Sequence, residues 1–339
     1  MGKLLKVIKF LLIFVIFFVF SIFLINFIFE TTYKYPENIK YGVSFSPRYA
    51  RYLNLDWKKV YLQILDDLKV KNLRLTSYWN SLEPEEERVN FDETDFMLSE
   101  AQKRGVKVIL VVGARQPRWP ECHTPDWAKT LSVEQRQQKL LIFVKKVVER
   151  YKDYPSVKGW QVENEPFVNW FGERCDKLDK EFLKEEIKLV RDLDTAKRPI
   201  VITDTGEWSM WTDAMKSSDI LGISLYRKVY NPYWGYTTYP IPPVYYSARS
   251  SIARVFFAPN NQKIIVAEFQ SEPWVKQAIP DTAISEQVKL FSIEEFKNNT
   301  SYAQKTSFDE IYLWGVEWWY WISQHGHPEY LDFARTIFR

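Results

Sequence analysis

The hydrophobic pattern of this chain changes period repeatedly. From Tyr41 onward, short apolar runs alternate with longer segments whose apolar residues recur every three or four positions. The runs predict strands at Tyr41 to Ser46, Leu73 to Tyr78, Val106 to Val112, Val157 to Glu163, Ile200 to Asp204, Leu221 to Leu225, Ile264 to Ala267 and Ile311 to Val316. Between them, Trp57, Val60, Tyr61, Ile64, Leu65 and Leu68 fall on one helical face. Leu140, Leu141, Phe143, Val144, Val147 and Val148 make a second such stripe, and Leu183, Ile187 and Val190 a third. All three read as core packing. Strands alternating with helices imply a parallel sheet, and eight such units in about 300 residues predict an α/β fold, a single (β/α)8 TIM barrel over residues 41–339. An open dinucleotide-binding sheet fits less well. Ser46-Pro47-Arg48-Tyr49 follows the first strand where that fold needs a glycine-rich turn.

One apolar run stands outside the alternation. Phe10 to Phe29 carry no charge, and at ~1.5 Å per helical residue they match a hydrocarbon core ~30 Å thick. The expected organisation is a cytoplasmic tip and transmembrane signal anchor over residues 1–30, a polar tether over 31–40, then the barrel. A cleaved signal peptide is the competing reading, but its apolar region usually spans only ~7 to 15 residues and no small-residue cleavage site precedes Glu30. Lys3, Lys6 and Lys9 lie before the run, so the positive-inside rule sends the barrel out of the cytoplasm. The bilayer is thus an expected partner through residues 10–29, and the location a single-pass membrane with the barrel extracytoplasmic.

Those three lysines account for the whole formal net charge of +3 and leave the remainder neutral. A neutral barrel offers nucleic acid no electrostatic footprint. In an oxidising compartment the two cysteines, Cys122 and Cys175, suggest a disulfide, with two buried free thiols as the alternative. They follow the third and fourth strands, so a bridge would brace one rim. The histidines, His123, His325 and His327, do not complete a tetrahedral zinc set, and neither metal nor cofactor is expected. No serine nucleophile elbow or phosphate-binding loop is present. A monomer is expected.

Two strands end on carboxylates. Gly159-Trp160-Gln161-Val162-Glu163-Asn164-Glu165-Pro166 reads as a strand that stops abruptly, because proline cannot extend a central strand. Lys263-Ile264-Ile265-Val266-Ala267-Glu268 repeats the design. In a barrel both glutamates reach the face formed by strand C-termini, where chemistry collects. Paired carboxylates on either side of a glycosidic bond are the working parts of glycoside hydrolysis. Asn164-Glu165-Pro166 on the fourth strand and Ala267-Glu268-Phe269 on the seventh resemble the acid/base and nucleophile motifs of the retaining glycoside hydrolases of clan A, the (β/α)8 group with cellulase-like, mannanase-like and β-galactosidase-like families. Leu73-Arg74-Leu75 followed by Trp79 is similar to that clan's second strand, whose arginine lies beside the nucleophile. Tyr226 matches its nucleophile-binding tyrosine, and Trp318 its aromatic floor for the sugar. The resemblance runs from about Tyr41 to the end.

That resemblance implies a glycosidase acting on an oligo- or polysaccharide, with Glu165 as general acid/base, Glu268 as nucleophile and Asn164 on the sugar 2-hydroxyl. Independently of it, the charge of Arg74 would favour ionised Glu268, the form that attacks. Glu317 is expected to grip a sugar hydroxyl, and Trp234, in the insertion Tyr230 to Tyr236, to stack on a sugar face. Glu163 and Glu272 are competing carboxylates that would tune or brace the site. Ser224 and Gly113-Ala114-Arg115 depart from the cellulase-like pattern, which places histidines there, so no single family's substrate carries over. A transglycosylase using the same residues and a non-catalytic glycan-binding protein are the other readings.

Overall fold

A computed structural model describes residues 35–173, 175–257 and 262–339, with a few scattered residues between 9 and 24. Eight parallel strands close into a barrel: β1 (Lys40–Phe45), β2 (Asn72–Thr76), β3 (Lys107–Val112), β4 (Val157–Val162), β5 (Ile200–Thr205), β6 (Ile220–Leu225), β9 (Lys263–Gln270) and β10 (Glu310–Trp314). Each of the eight expected strands is present with its end moved by a few residues at most. They are apolar almost throughout because helices cover their outer face and side chains fill the interior. Ile109, Val201, Ile265 and Tyr312, from β3, β5, β9 and β10, meet inside the barrel as a separate buried cluster.

Local signals start the outer helices. Asp56 accepts N–H bonds from Lys58 and Lys59 ahead of helix Trp57–Asp66, and Asp179 does the same for helix Lys180–Leu193. Ser132 and Gln135 form a reciprocal capping box for Val133–Tyr151. The three stripes noted in the sequence point inward, with Val60, Tyr61, Ile64 and Leu65, then Phe143, Val144, Val147 and Val148, then Leu183, Ile187 and Val190 all buried.

Two segments differ from expectation. The insertion after β6 folds as an antiparallel hairpin, β7 (Lys228–Asn231) and β8 (Gly235–Thr238), with Gly235 at positive φ closing its turn. After β10 the chain turns straight into helix Val316–Gln324 instead of a loop. Gly315 makes this possible at φ +122°, since a Cβ there would meet Glu272 at 2.6 Å.

Among the described residues no helix is long and apolar enough to cross a membrane. The expected anchor over residues 10–29 lies for the most part outside the described residues.

Candidate active site

Arg74 organises the C-terminal mouth of the barrel. It projects from β2, is almost fully buried, and donates in three directions. Nε reaches Gln161 at 2.7 Å, Nη1 reaches Glu268 Oε1 at 2.7 Å, and Nη2 reaches Asn164 Oδ1 at 2.7 Å. A planar guanidinium with a fixed fork of donors suits this better than a lysine would. It ties β2, β4 and β9 together under one positive charge.

Glu268 arrives there through a register shift. Ile265 belongs to the barrel interior and Val266 to the outer core. Strict alternation would therefore send Glu268 outward with Val266. Instead the pairing with β6 slips by one, from Ile223 with Val266 to Ser224 with Glu268. This bulge restores Glu268 to the interior, which is how bulges re-aim side chains beside active sites. Its second oxygen accepts the Tyr226 hydroxyl at 2.9 Å.

Glu165 follows β4 on strained backbone. Glu163 and Glu165 have φ of +58° and +44°, the left-handed region that non-glycine residues seldom occupy. Such strain persists only where the surroundings impose it. Gln161 donates to the Glu163 carbonyl at 2.9 Å, and the Glu165 N–H donates to Thr203 at 2.8 Å. The Glu163 carboxylate is spent on backbone, accepting N–H bonds from Ala114 and Arg115 at 2.7 and 2.5 Å. It lies against Gly113, where any Cβ would collide with it at 2.3 Å. Glu163 therefore braces the turn that presents Glu165.

Burial, then the negative charge of Glu268, push the Glu165 carboxyl up to about 8, while a hydrogen bond from Ser224 pulls the other way. Glu165 thus holds its proton at neutral pH. Both glutamates keep a narrow opening to solvent, at 5% and 6% exposed. The unfolded chain releases the Glu165 proton near 4.5 whereas the folded one keeps it to about 8, so this group makes stability fall as pH rises between those values. Glu165→Gln is accordingly expected to melt higher than the native chain at pH 7 but not at pH 4, in thermal unfolding at the two pH values.

A third carboxyl enters from the loop after β3. Asn164 Nδ2 donates to Glu121 Oε2 at 3.0 Å. Burial, with Glu268 next and Glu165 after it, raises the Glu121 carboxyl well above the usual range. Cys122 is bonded to Cys175, so the disulfide clamps this loop to the one after β4, and free thiols are excluded. Glu121 went unnoticed in the sequence; its place beside Cys122 was the one available signal.

Several expected contacts lie elsewhere. Trp318 is fully buried in helix Val316–Gln324, donates to Gln287 at 2.8 Å and packs on Tyr330 and Phe291. It belongs to the core and does not floor a sugar site. Trp79 is equally buried, donating to Glu83 at 2.8 Å and stacked near Phe143. Trp234 sits at the hairpin turn, 78% exposed, with Tyr233 as its ring neighbour. Glu317 cannot grip a sugar, because Ser46 N–H occupies one oxygen at 2.6 Å and Arg118 the other at 2.9 Å. Arg118, held between the rings of Tyr49 and Trp314 at 3.7 and 4.0 Å, also pairs with Glu272. Trp274 does approach the carboxylates, edge-on to Tyr226 at 5.2 Å and partly exposed.

The barrel as a whole superposes on those of solved glycoside hydrolases. A GH5_18 protein from Bifidobacterium longum superposes with a TM-score of 0.60 at 13% identity, over 82% of this chain and 70% of that one. A β-galactosidase from the psychrophilic Marinomonas ef1 gives a TM-score of 0.53 at 15% identity, over 81% of this chain and 54% of that one. In sequence, residues 52–198 match the Glyco_hydro_42 family, described as β-galactosidase. β-Galactosidase LacZ of Lactobacillus acidophilus is 26% identical over 163 residues, covering 43% of this chain and 24% of that protein. β-Galactosidase BglY of Alicyclobacillus acidocaldarius is 29% identical over 136 residues, covering 35% and 20%. The matched stretch spans about a quarter or less of these relatives' length. The family match over residues 52–198 includes Arg74, Asn164 and Glu165 but stops before Tyr226 and Glu268. The resemblance to clan A glycoside hydrolases thus stands in both sequence and fold.

Proposed function

We propose that this protein is a retaining glycosidase that cleaves a β-linked glycan by double displacement. The observation that carries the reading is the Arg74 network, which grips Glu268 and Asn164 together while the neighbouring Glu165 keeps its proton. In the first step a Glu268 oxygen attacks the anomeric carbon as the glycosidic C–O bond breaks, and Glu165 gives its proton to the departing oxygen. Arg74 and Tyr226 orient the two oxygens of Glu268 from opposite sides. In the second step Glu165, now a carboxylate, takes a proton from water as that water attacks the sugar and releases Glu268. Asn164 meets the sugar 2-hydroxyl. Transfer to a second sugar would use the same residues with a different acceptor.

The named relatives make a terminal β-galactoside the first substrate to try. A panel of aryl β-glycosides and polysaccharides, with the released anomer followed by proton NMR, tests the reading. Net retention of the β configuration supports it, and inversion or no turnover on the whole panel opposes it. Ser224 donates to Glu165 and so favours its ionised form. Ser224→Ala is expected to move the alkaline limb of kcat/KM to higher pH, read from a full pH–rate profile; an unmoved limb would detach Ser224 from the acid.

The same reading puts the barrel outside the cytoplasm on an anchor over residues 10–29, supported by an uncharged apolar run with three lysines before it. Membranes washed with alkaline carbonate should retain the chain, and its release into the supernatant would remove the anchor from the proposal.

A further inference from the structure

A cavity of about 450 Å³ opens at the opposite end of the barrel from the carboxylates. That volume lies in the range that holds small ligands, ~300 to 1,000 Å³. Its rim is basic. Lys40, Lys71, Lys107, Lys158 and Lys263 all line it. Lys40, Lys107 and Lys263 are the first residues of β1, β3 and β9, Lys71 immediately precedes β2, and Lys158 is the second residue of β4. Parallel closure gathers five positions scattered over more than two hundred residues into one ring. The barrel sequence has no net charge overall, so the ring does not follow from a general excess of basic residues.

Acidic groups do not balance it. Glu310 is the one carboxylate in the lining, and it is already shared by Lys158 and Lys263 at 2.5 Å each, with the Tyr312 hydroxyl at 2.7 Å. Burial opposes its charge, yet Lys158 and its other donors hold its carboxyl down at about 2. Asp309 stands 3.9 Å from Lys263 at the edge. Lys107 is turned onto the Pro155 carbonyl at 3.1 Å. Among the described residues, Lys40 and Lys71 make no ion pair. Lys158 is lowered from the usual ammonium range by its burial first, with Lys263 and Lys40 adding to it. The floor is apolar, formed in part by Ile109 and Val201 of the interior cluster, and such low-dielectric walls strengthen the field of the ring.

We propose that this cavity is an anion site, built for a phosphate-bearing group. Such a group would accept from several ammonium donors at once and relieve their mutual repulsion, as a point-charge lysine set does for phosphate. Phosphate could come from a soluble metabolite or from the headgroup of an anionic lipid. The site is independent of the glycosidase reading, since its lysines and Glu310 bond to other partners than the Arg74 network.

The test uses the full chain in zwitterionic detergent. Inorganic phosphate is titrated against sodium chloride of matched ionic strength, and in parallel the micelles are doped with phosphatidylglycerol or, as control, phosphatidylcholine. Binding is read by calorimetry and by the rise in melting temperature that ligation produces. The proposal expects saturable binding, one per chain, that weakens at least tenfold in Lys71→Gln/Lys107→Gln, a pair of exposed residues whose loss spares the Glu310 cluster. Lys40→Gln provides a second variant with the same expectation. Response to phosphate alone assigns the site to soluble anions, and response to phosphatidylglycerol alone assigns it to lipid headgroups. Stabilisation no greater than that of chloride, or binding that survives in both variants, overturns it.

Discussion

Glu268→Gln is expected to lower kcat by at least about 10⁴-fold, the scale on which removing the nucleophile acts in enzymes that work through a covalent intermediate. The amide keeps the size of the carboxylate but not its charge, so the anomeric carbon has nothing to bond. The variant also leaves Arg74 buried with its ion-pair partner gone, and breaking a buried pair costs about 3 to 5 kcal/mol. Activity loss alone could then reflect unfolding. Glu268→Ala with added azide separates the two causes. A small external anion entering the vacated space should restore turnover and give an α-glycosyl azide, an outcome that a misfolded barrel cannot produce. A Glu268→Gln protein with kcat within tenfold of native would remove Glu268 from the chemistry.

The second large effect concerns Glu165, and it depends on the leaving group. With an alkyl or sugar leaving group, Glu165→Ala should slow the first step by about 10²- to 10⁴-fold, the usual contribution of a positioned acid. With a dinitrophenyl leaving group, which departs without a proton, the first step should be nearly spared and the glycosyl-enzyme should accumulate, because no base remains to activate water. The native protein should lose activity as pH rises through about 8, where Glu165 gives up its proton. That limb should be absent from the first step of the variant, measured by pre-steady-state release of dinitrophenol. Equal losses for both leaving groups would assign Glu165 a role other than proton transfer.

The barrel was legible because its signals are local. Near-continuous apolar runs such as Val108 to Val112, set between helical stripes, define strands buried on both faces wherever they occur in a chain. The positions of Asn164, Glu165, Tyr226 and Glu268 were legible as well, since each stands at or near a strand end, and Arg74 as the one charge inside the apolar strand β2. What the pattern concealed depends on contacts distant in sequence. The bulge that turns Glu268 inward appears only in its pairing with β6. Glu121 reaches Asn164 because the Cys122–Cys175 bond holds its loop there. Arg118 is a surface-type residue in sequence, yet its two aromatic walls and two carboxylates come from three other stretches of the chain.

The tryptophans misled for a physical reason. An indole is a large apolar body with one polar N–H, and it suits a sugar face or a core with a buried acceptor equally well. Trp79 and Trp318 both found such acceptors, in Glu83 and Gln287. For Trp318 the deciding feature was Gly315, which lets a helix begin at once after β10 and folds the ring under it.

Double displacement requires a covalent bond between Glu268 and sugar. A 2-deoxy-2-fluoro β-galactoside with a dinitrophenyl leaving group, chosen to slow release of the intermediate, tests it directly by mass spectrometry of the intact protein and its peptides. One added fluorosugar per chain, carried on the peptide containing Glu268, is the predicted result. A chain that turns over β-galactosides yet remains unlabelled, or carries the label on another carboxylate, would contradict it.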